Sequence, residues 1–352
     1  MSTRPSPRAT GAFAAARRVG LILVGLVCIG APLAAAALDF PIMLDARPVP
    51  LAEGLAPGER IGRLRFLGML ELPTVQVGEA RLSQLSGLAW DDDDAILYAV
   101  SDKGWLFHLR PEFHGDMLRG VQLLHAVPLR ELGNDKPLKR KRADPEDLDI
   151  VNGRNGQPGD GELLIGFERL PRIMRYRPDG TALGEKTPPA PLDDPRNYRS
   201  DNRMIEALCL DPGLGILVAP EVPLAGARED EIRIYSLSGQ SWRYPLQPGH
   251  RITAMACLGA GEVLVLETDF GRLLAHSALE LRLARLPSNP GPNASAPVET
   301  LVQLDTGRGY AIDNFEGLTR HRGMRFFLVT DNNDLFLQRT LLLYIELLPP
   351  AR

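Results

Sequence analysis

A unit of two short apolar runs joined by a turn recurs five times along this chain, and it restricts the fold more than any other feature. The first run of each copy contains one anchor residue. A turn rich in Gly, Asp or Pro follows, and the second, strongly apolar run ends at an acidic residue. The anchors lie 60, 60, 47 and 63 residues apart and are Leu88, Leu148, Leu208, Met255 and Leu318. The clearest copy is NFEGLTRHRGMRFFLVTDNN, from Asn314 to Asn333.

The sequence between the units leaves room for two more strands per copy. GWLFHLRP and VQLLHAVPL follow the first unit, and EIRIYSLSG and QSWRYPL follow the third. Short strands at regular spacing with turn signals predict an all-β fold, and a four-stranded repeat of about 40 to 60 residues is typical of a β-propeller. We expect five four-stranded blades, or six if the longer spacings contain a weak blade.

The N-terminal run IGRLRFLGMLELP, from Ile61 to Pro73, belongs to none of the five units. The last unit, in turn, lacks a clear fourth strand before the chain ends. We expect this N-terminal strand to pair with the C-terminal blade and close the ring, because an open sheet edge would invite association with other chains.

The first 37 residues have the layout of an export signal. They contain Arg4, Arg8, Arg17 and Arg18 but no acid, and residues 19–37 carry no charge before the small-residue end APLAAAALDF. Such a segment is typical of a signal peptide cut near Ala37, and an uncleaved N-terminal anchor stays open as the alternative. We therefore expect a periplasmic or secreted protein, in contact with the membrane only if residues 19–37 are retained. Residues 38–60 would be a linker, and residues 61–349 a single propeller domain.

Charge and cysteine content exclude some classes of protein. The formal net charge of the full chain is −4, and it becomes −8 once the four N-terminal arginines are removed. An acidic domain of this kind has no general attraction for nucleic acid, so we expect none as a partner. Cys209 and Cys257, the cysteines outside the N-terminal segment, lie in apolar strand-like runs, and we expect buried free thiols there, with a disulfide as the less favoured alternative.

The acids of the repeat are predicted to meet at one end of the propeller. The first strand of each blade lines the channel and the second runs back antiparallel, so the start of one and the end of the other lie at the same face. This places eight carboxylates near one channel mouth: Glu146, Glu206 and Glu316 at strand starts, and Asp102, Glu168, Glu221, Glu267 and Asp331 at strand ends.

Carboxylates that close together require compensation. Ca²⁺ binds several carboxylate oxygens in flexible geometry, and the basic residues Lys103, Arg169, Arg203 and Arg320 could instead pair with the acids. Lys103 and Arg169 could also hold an anionic substrate. A third possibility is that the acids accept backbone hydrogen bonds and only stabilise the blades. The sequence contains no GxSxG, HExxH, P-loop or dinucleotide-binding motif, and the six histidines show no ligand spacing.

Three segments resemble a known family. LSGLAWDDDDAILYAVSDKG, IEALCL with LVAPE, and NFEGLTRHRGMRFFLVTDNN look like the phytase-like domain of exported bacterial proteins, often described as the esterase-like activity of phytase family. The resemblance covers roughly Ile61 to Leu348. It implies a β-propeller distantly similar to the alkaline β-propeller phytases, which bind Ca²⁺ at an acidic mouth and hydrolyse phosphate esters. The signature positions it implies are Ser86, Asp102, Glu206, Glu221, Glu316, Asp331 and Asn332.

Two functions from different classes follow. The first is a monomeric, exported, Ca²⁺-dependent hydrolase of phosphate or other small-molecule esters. Its catalytic residues would be Glu316, Asp331 and Glu206, its substrate-binding residues Lys103, Arg169 and Asn332, and its metal ligands Asp102, Glu168, Glu221 and Glu267. The alternative is a non-catalytic envelope propeller that binds a ligand or a protein partner at the same mouth.

Overall fold

Short antiparallel strands, most of them half to wholly buried, account for nearly all of the regular structure. The computed structural model describes residues 40–270, 276–291 and 293–350. The predicted signal peptide or anchor, residues 1–37, lies outside these ranges. In the part that is described, no helix is both long enough and apolar enough to cross a bilayer.

Longer connections join some of the blades, and most strands within a blade follow one another closely. Six lie in the N-terminal part: β1 (Ile42–Met43), β2 (Arg47–Pro48), β3 (Arg60–Ile61), β4 (Leu64–Leu72), β5 (Gln76–Val77) and β6 (Ala80–Arg81). Those of the repeat begin with β7 (Leu85–Asp91), β8 (Ile96–Ser101), β9 (Trp105–His114), β10 (Met117–Pro128), β11 (Pro145–Val151), β12 (Glu162–Phe167), β13 (Arg172–Tyr176) and β14 (Ala182–Lys186). They continue with β15 (Ile205–Asp211), β16 (Gly215–Pro220), β17 (Glu231–Ser236), β18 (Ser241–Pro245), β19 (Arg251–Gly259), β20 (Glu262–Phe270), β21 (Ser277–Arg285) and β22 (Val298–Asp305). The last three are β23 (Phe315–Arg320), β24 (Arg325–Thr330) and β25 (Thr340–Leu347), and short 3-10 helices occupy Arg140–Arg142, Pro195–Asn197 and Thr306–Arg308.

These strands form the five predicted blades of a propeller, so the six-bladed alternative is excluded. Blades 1 to 4 are β7–β10, β11–β14, β15–β18 and β19–β22, each an antiparallel sheet in sequence order. Blade 5 contains β23, β24, β25 and β4. The inner strands that surround the channel are β7, β11, β15, β19 and β23.

The ring closes as the sequence predicted. The N-terminal strand β4 pairs antiparallel with β25, from Leu72 opposite Thr340 to Leu64 opposite Leu347. Blade 5 therefore combines both ends of the domain. With β4 in place, blade 5 has four strands like the other blades, and the ring is closed.

The stretch predicted as a linker packs on the propeller. Within it, β1 pairs with β10 on the outer edge of blade 1, and β2 pairs with β4 on the outer edge of blade 5. Leu51, which follows β2, is 0% exposed and belongs to the core around blades 4 and 5. Residues 40–60 thus cover sheet edges that would otherwise be open.

The core lies between the blades, where the face of one sheet packs on the next. Leu88 and Phe107 of blade 1 share a buried cluster with Phe327 and Tyr344 of blade 5. The alternating residues of the same strands, such as Ala89, face blade 2 instead. The two-residue period of the strands therefore gives each blade two apolar faces, and only the ring arrangement buries both.

A disulfide joins Cys209 to Cys257, so the expectation of two free thiols is wrong. The two residues lie on β15 and β19, the inner strands of blades 3 and 4, with Cα atoms 5.5 Å apart. Their separation of 48 residues concealed their proximity in the sequence. The two cysteines come within bonding distance only once the neighbouring inner strands have packed side by side.

Candidate site at the acidic mouth

Every inner strand carries a β-bulge near its start. The bulged residues are Ser86, Glu146, Glu206, Thr253 and Glu316, one per blade. A bulge inserts one residue opposite a single partner and redirects its side chain. The repeat therefore presents five equivalent positions at the end of the ring where the inner strands begin, which we call the acidic mouth.

A second set of equivalent positions follows the second strand of the blades. Asp102, Glu168, Glu221 and Asp331 come directly after the last residues of β8, β12, β16 and β24. Their backbone N–H groups donate to the residue that precedes the inner strand, as in the bond from Glu168 to the Asp144 carbonyl, 3.1 Å. Seven of the eight predicted acids are thus brought to one mouth by the same local geometry.

Glu267 does not join them. In blade 4, Glu267 pairs with Ile252, the residue directly before the bulge. The position equivalent to the other four acids is therefore the next residue, Thr268. The side chain of Glu267 is 0% exposed and points to the opposite side of β20, where it accepts hydrogen bonds from Tyr244 and Arg282. The predicted role of Glu267 as a metal ligand is therefore not supported by its position. The spacing along the chain differs accordingly. Glu267 lies two residues after Val265, which pairs with the anchor of its blade, whereas each of the other four acids lies three residues after the residue that pairs with its anchor.

Two groups of acids are close enough to hold a cation. The first contains Asp144, Glu146 and Glu168, and the second contains Glu168, Glu206 and Glu221, with one oxygen of each member within 4.8 Å of the others in its group. Glu168 belongs to both. Glu168, Glu206 and Glu221 are 5–7% exposed, so their charges are largely removed from water.

Asp144 was missed by the sequence analysis. It lies two residues before the bulge of blade 2, a position that is filled by Arg251 in blade 4 and Asn314 in blade 5. None of the three belongs to the apolar runs that define the repeat. Counting back two residues from the bulge position would have found each of them.

Burial and mutual repulsion keep protons on this cluster. Burial first, with neighbouring carboxylates adding to it, raises the pKa of Asp102 to about 6, that of Asp331 to about 7 and that of Glu168 to about 8. For the same reasons the pKa values of Glu146, Glu206 and Glu316 lie well above their usual range. The mouth thus contains more carboxyl groups than the neighbouring cations could neutralise if all of them were ionised.

The cations of the mouth compensate only part of this charge. Arg251 pairs with Glu221 at 3.2 Å and donates to the Asn314 side-chain oxygen at 2.9 Å. Arg203 lies 3.7 Å from Glu221, and Arg169 pairs with Asp144. Arg320 lies at the far end of β23, on the opposite face, where it cannot contribute as proposed from the sequence.

The two remaining predicted substrate residues lie in different settings. Lys103 is exposed and, within the described residues, forms no ion pair, so it is available to an anion at the rim. Asn332 is 6% exposed, and its side-chain oxygen accepts from the backbone N–H groups of Gln84 and Asp334. This links blade 5 to blade 1 beside Glu316 and Asp331. Within blade 5, Glu316 accepts from the Asn314 amide at 2.7 Å.

The fold and the mouth together define a five-bladed β-propeller with a buried acidic site at one end of its channel. A family model described as "Phytase-like: Esterase-like activity of phytase" matches residues 80–334. The chain therefore belongs to this phytase-like family, as the sequence motifs suggested.

Two solved structures with a similar fold are remote from this chain in sequence. The β-propeller domain of Cps50 (Swd1) from Myceliophteria thermophila is 11% identical, covers 86% of this chain and 99% of its own, and gives a TM-score of 0.37. XC5397 from Xanthomonas campestris, a gluconolactonase, is 12% identical, covers 87% and 91%, and gives a TM-score of 0.38. At these TM-scores neither similarity bears on function. No curated protein matches the chain.

Proposed function

We propose that this protein is a Ca²⁺-dependent hydrolase of phosphate or other small-molecule esters that acts at the acidic mouth. One observation carries the proposal: two groups of buried or half-buried carboxyl groups share Glu168, and the neighbouring arginines are too few to neutralise them all in the ionised form. Membership of the phytase-like family supports the reaction class.

The donor set fits a hard cation. All members of both groups are carboxylates, the ligands that Ca²⁺ prefers, and no nitrogen or sulfur ligand is among them. Glu221 Oε2 is buried and accepts no hydrogen bond within the described residues. We infer that Glu168, Glu206 and Glu221 hold one cation and that Asp144, Glu146 and Glu168 hold a second. Glu206 thereby moves from the predicted catalytic set to the ligand set.

Bound Ca²⁺ would neutralise an anionic ester and polarise the bond to be broken. Asp331, with a pKa of about 7, is suited to accept a proton from water near neutral pH, and Glu316 is positioned beside it. Lys103 and Arg169 at the rim would orient the anionic part of the substrate. No serine–histidine hydrogen bond is present in the described part of the chain, so we assign the chemistry to carboxylates.

A calcium titration followed by thermal unfolding tests the cation. A ligand bound only by the folded state raises the unfolding midpoint, so the wild type should gain stability as Ca²⁺ is added. Glu168→Gln should lose most of this gain because it removes a ligand from both groups. The matched control is Glu185→Gln, an exposed acid on β14, which should respond like the wild type.

Turnover is tested on the same variants with a panel of phosphate and carboxylate esters. The proposal requires hydrolysis that depends on Ca²⁺ and is lost in Asp331→Asn while the fold and calcium response remain. Calcium stabilisation without turnover of any ester would instead support the alternative, a non-catalytic propeller that binds a ligand at the mouth.

We also propose that the protein is exported to the periplasm or secreted. The Cys209–Cys257 disulfide suits an oxidising compartment, and residues 1–37 have the composition of an export signal. Fractionation of cells that carry the full chain, with sequencing of the mature N-terminus, distinguishes a cleaved signal near Ala37 from a retained anchor. Recovery in the cytoplasm would contradict the proposal.

A further inference from the structure

A cavity lies at the other end of the inner strands, away from the acidic mouth. It has a volume of about 630 Å³. Leu148, Met255 and Leu318 contribute to its wall, as do Trp90, Leu210 and Leu258. We call it the distal cavity. Its size lies in the range of small-molecule binding sites, which are typically apolar with a few convergent polar groups.

The apolar anchor residues of the inner strands lie between the distal cavity and the acidic mouth. The five anchor residues occupy the position two after the bulge on each inner strand, and none is more than 2% exposed. The next residue but one on the same strands, such as Leu210 or Arg320, lines the distal cavity. Along each inner strand the anchor therefore lies between the acidic mouth and the distal cavity.

Two arginines at the distal cavity are without carboxylate partners. Arg320 donates to the carbonyls of Gly323 at 2.6 Å and Leu258 at 3.1 Å. Arg154, from the long Gly-rich turn of blade 2, donates to the carbonyls of Arg320 and His321. Within residues 40–270, 276–291 and 293–350, neither forms an ion pair. Arg320 Nη2 and Arg154 Nε and Nη1 have no hydrogen-bond acceptor in those ranges.

The acids near these arginines are already engaged. Asp149 accepts from the backbone N–H groups of Ile150 and Leu210, both at 2.7 Å. Asp211 accepts from three backbone N–H groups, between 2.8 and 3.1 Å. Asp92 accepts from Arg322 at 2.6 Å. Burial, with the charge of Arg154 adding to it, lowers the pKa of Arg320, as expected for two like charges that share no anion.

We propose that the distal cavity binds a small amphiphilic anion, with its oxyanion headgroup on Arg154 and Arg320 and its apolar body in the channel. The free guanidinium N–H groups supply the forked donors that carboxylate and phosphate groups bind. The apolar wall formed by Leu148, Met255 and Leu318 takes the remainder of the ligand. This site is independent of the cation site proposed at the mouth.

Isothermal titration calorimetry with decanoate tests the proposal, in buffer with EDTA so that calcium at the mouth plays no part. Decanoate should bind the wild type, whereas 1-decanol and acetate, which lack either the charge or the apolar body, should bind at least roughly ten-fold more weakly. Decyl phosphate tests whether the site also accepts a phosphate headgroup, and its binding would support the shared oxyanion chemistry. Absence of binding by both amphiphilic anions would overturn the proposal.

Variants locate the site. Arg320→Gln and Arg154→Gln should each weaken decanoate binding roughly ten-fold, because each removes charged hydrogen-bond donors. Arg322→Gln is the matched control: it removes a charge from the same face, but one that already pairs with Asp92, and it should bind like the wild type. If Arg320→Gln does not fold, two other variants still test the site. Arg154→Gln changes an exposed residue, and Leu258→Trp fills the cavity, so both should weaken decanoate binding. Equal weakening by Arg322→Gln and Arg154→Gln would show a nonspecific charge effect and refute the site.

Discussion

At the scale of single residues, the glycine of the repeated motif is explained by the approach of neighbouring inner strands. A Cβ atom added to Gly87 would lie 2.7 Å from the Asp147 Cα atom of the next blade. A Cβ atom at Gly317 would lie 3.0 Å from the Ser86 carbonyl oxygen. Both of these neighbours are backbone atoms, which cannot move aside for a side chain. A glycine at these positions therefore lets the inner strands pack closely around the channel.

We expect Gly87→Ala to destabilise the protein by about 1–3 kcal/mol, the usual cost of overpacking against atoms that cannot move. Gly184→Ala is the matched control, because Gly184 also lies in a strand but a Cβ atom there would meet nothing within 4 Å. Urea unfolding of both variants measures the difference. Similar midpoints for the two variants would mean that the strands can separate at Gly87.

For Glu267 we predict a role in stability and not in calcium binding, in contrast to the acids of the mouth. Its carboxylate balances Arg282, which is 7% exposed. Glu267→Gln should therefore lower the free energy of unfolding by about 3 kcal/mol, because a buried guanidinium loses its partner. The stabilisation by Ca²⁺ should stay at the wild-type value. A lost calcium response in this variant would restore Glu267 to the metal ligands.

At the scale of elements, the disulfide adds a covalent link between two blades that packing, hydrogen bonds and the Arg251–Glu221 ion pair also join. Cys209 on β15 and Cys257 on β19 close a loop of 48 residues. The bulges and the disulfide therefore act on the same set of strands, one directing side chains into the mouth and the other tying blade 3 to blade 4.

Reduction of this disulfide should lower the free energy of unfolding by about 2–4 kcal/mol, since the unfolded chain regains the freedom that the cross-link removes. The measurement is denaturant unfolding with and without a reductant. The Cys209→Ala/Cys257→Ala variant should match the reduced wild type and should no longer respond to reductant. A wild type that is equally stable in both conditions would contradict the expectation.

At the scale of the whole molecule, the acidic mouth makes stability depend on pH and calcium together. The pKa values of Asp102, Asp331 and Glu168 are raised in the folded state to about 6, 7 and 8, whereas in the unfolded chain such groups titrate near 4. Between these limits the folded state binds more protons than the unfolded state. Its stability is therefore fully present at low pH and is lost as the pH rises through the folded pKa values.

In EDTA, the free energy of unfolding should fall by on the order of 8 kcal/mol between pH 5 and pH 8.5, the sum for three groups that titrate independently. Saturating Ca²⁺ should remove most of this fall, because a bound cation favours the ionised carboxylates that the protein alone disfavours. Thermal unfolding across this pH range with each additive measures it. A stability that rises with pH in EDTA would show that the cluster is ionised without a cation.

The sequence by itself determined the architecture. Alternating apolar residues, turn chemistry and five copies of one unit suffice for five blades, and the unmatched run from Ile61 to Pro73 predicted the closing strand. These properties are local or periodic, so they can be counted along the chain. The same regularity placed seven of the eight acids at one mouth.

Only the tertiary structure decided which residues meet across blades. Asp144, Arg251 and Asn314 enter the mouth from positions outside the apolar pattern, and a one-residue difference in register turns Glu267 away from it. Arg154 and Arg320 lie 166 residues apart and meet only in the closed ring, as do Cys209 and Cys257. The physical reason is common to all of these pairs: their contacts depend on the angle between neighbouring blades and on the strand face each side chain takes, and neither is a property of one segment.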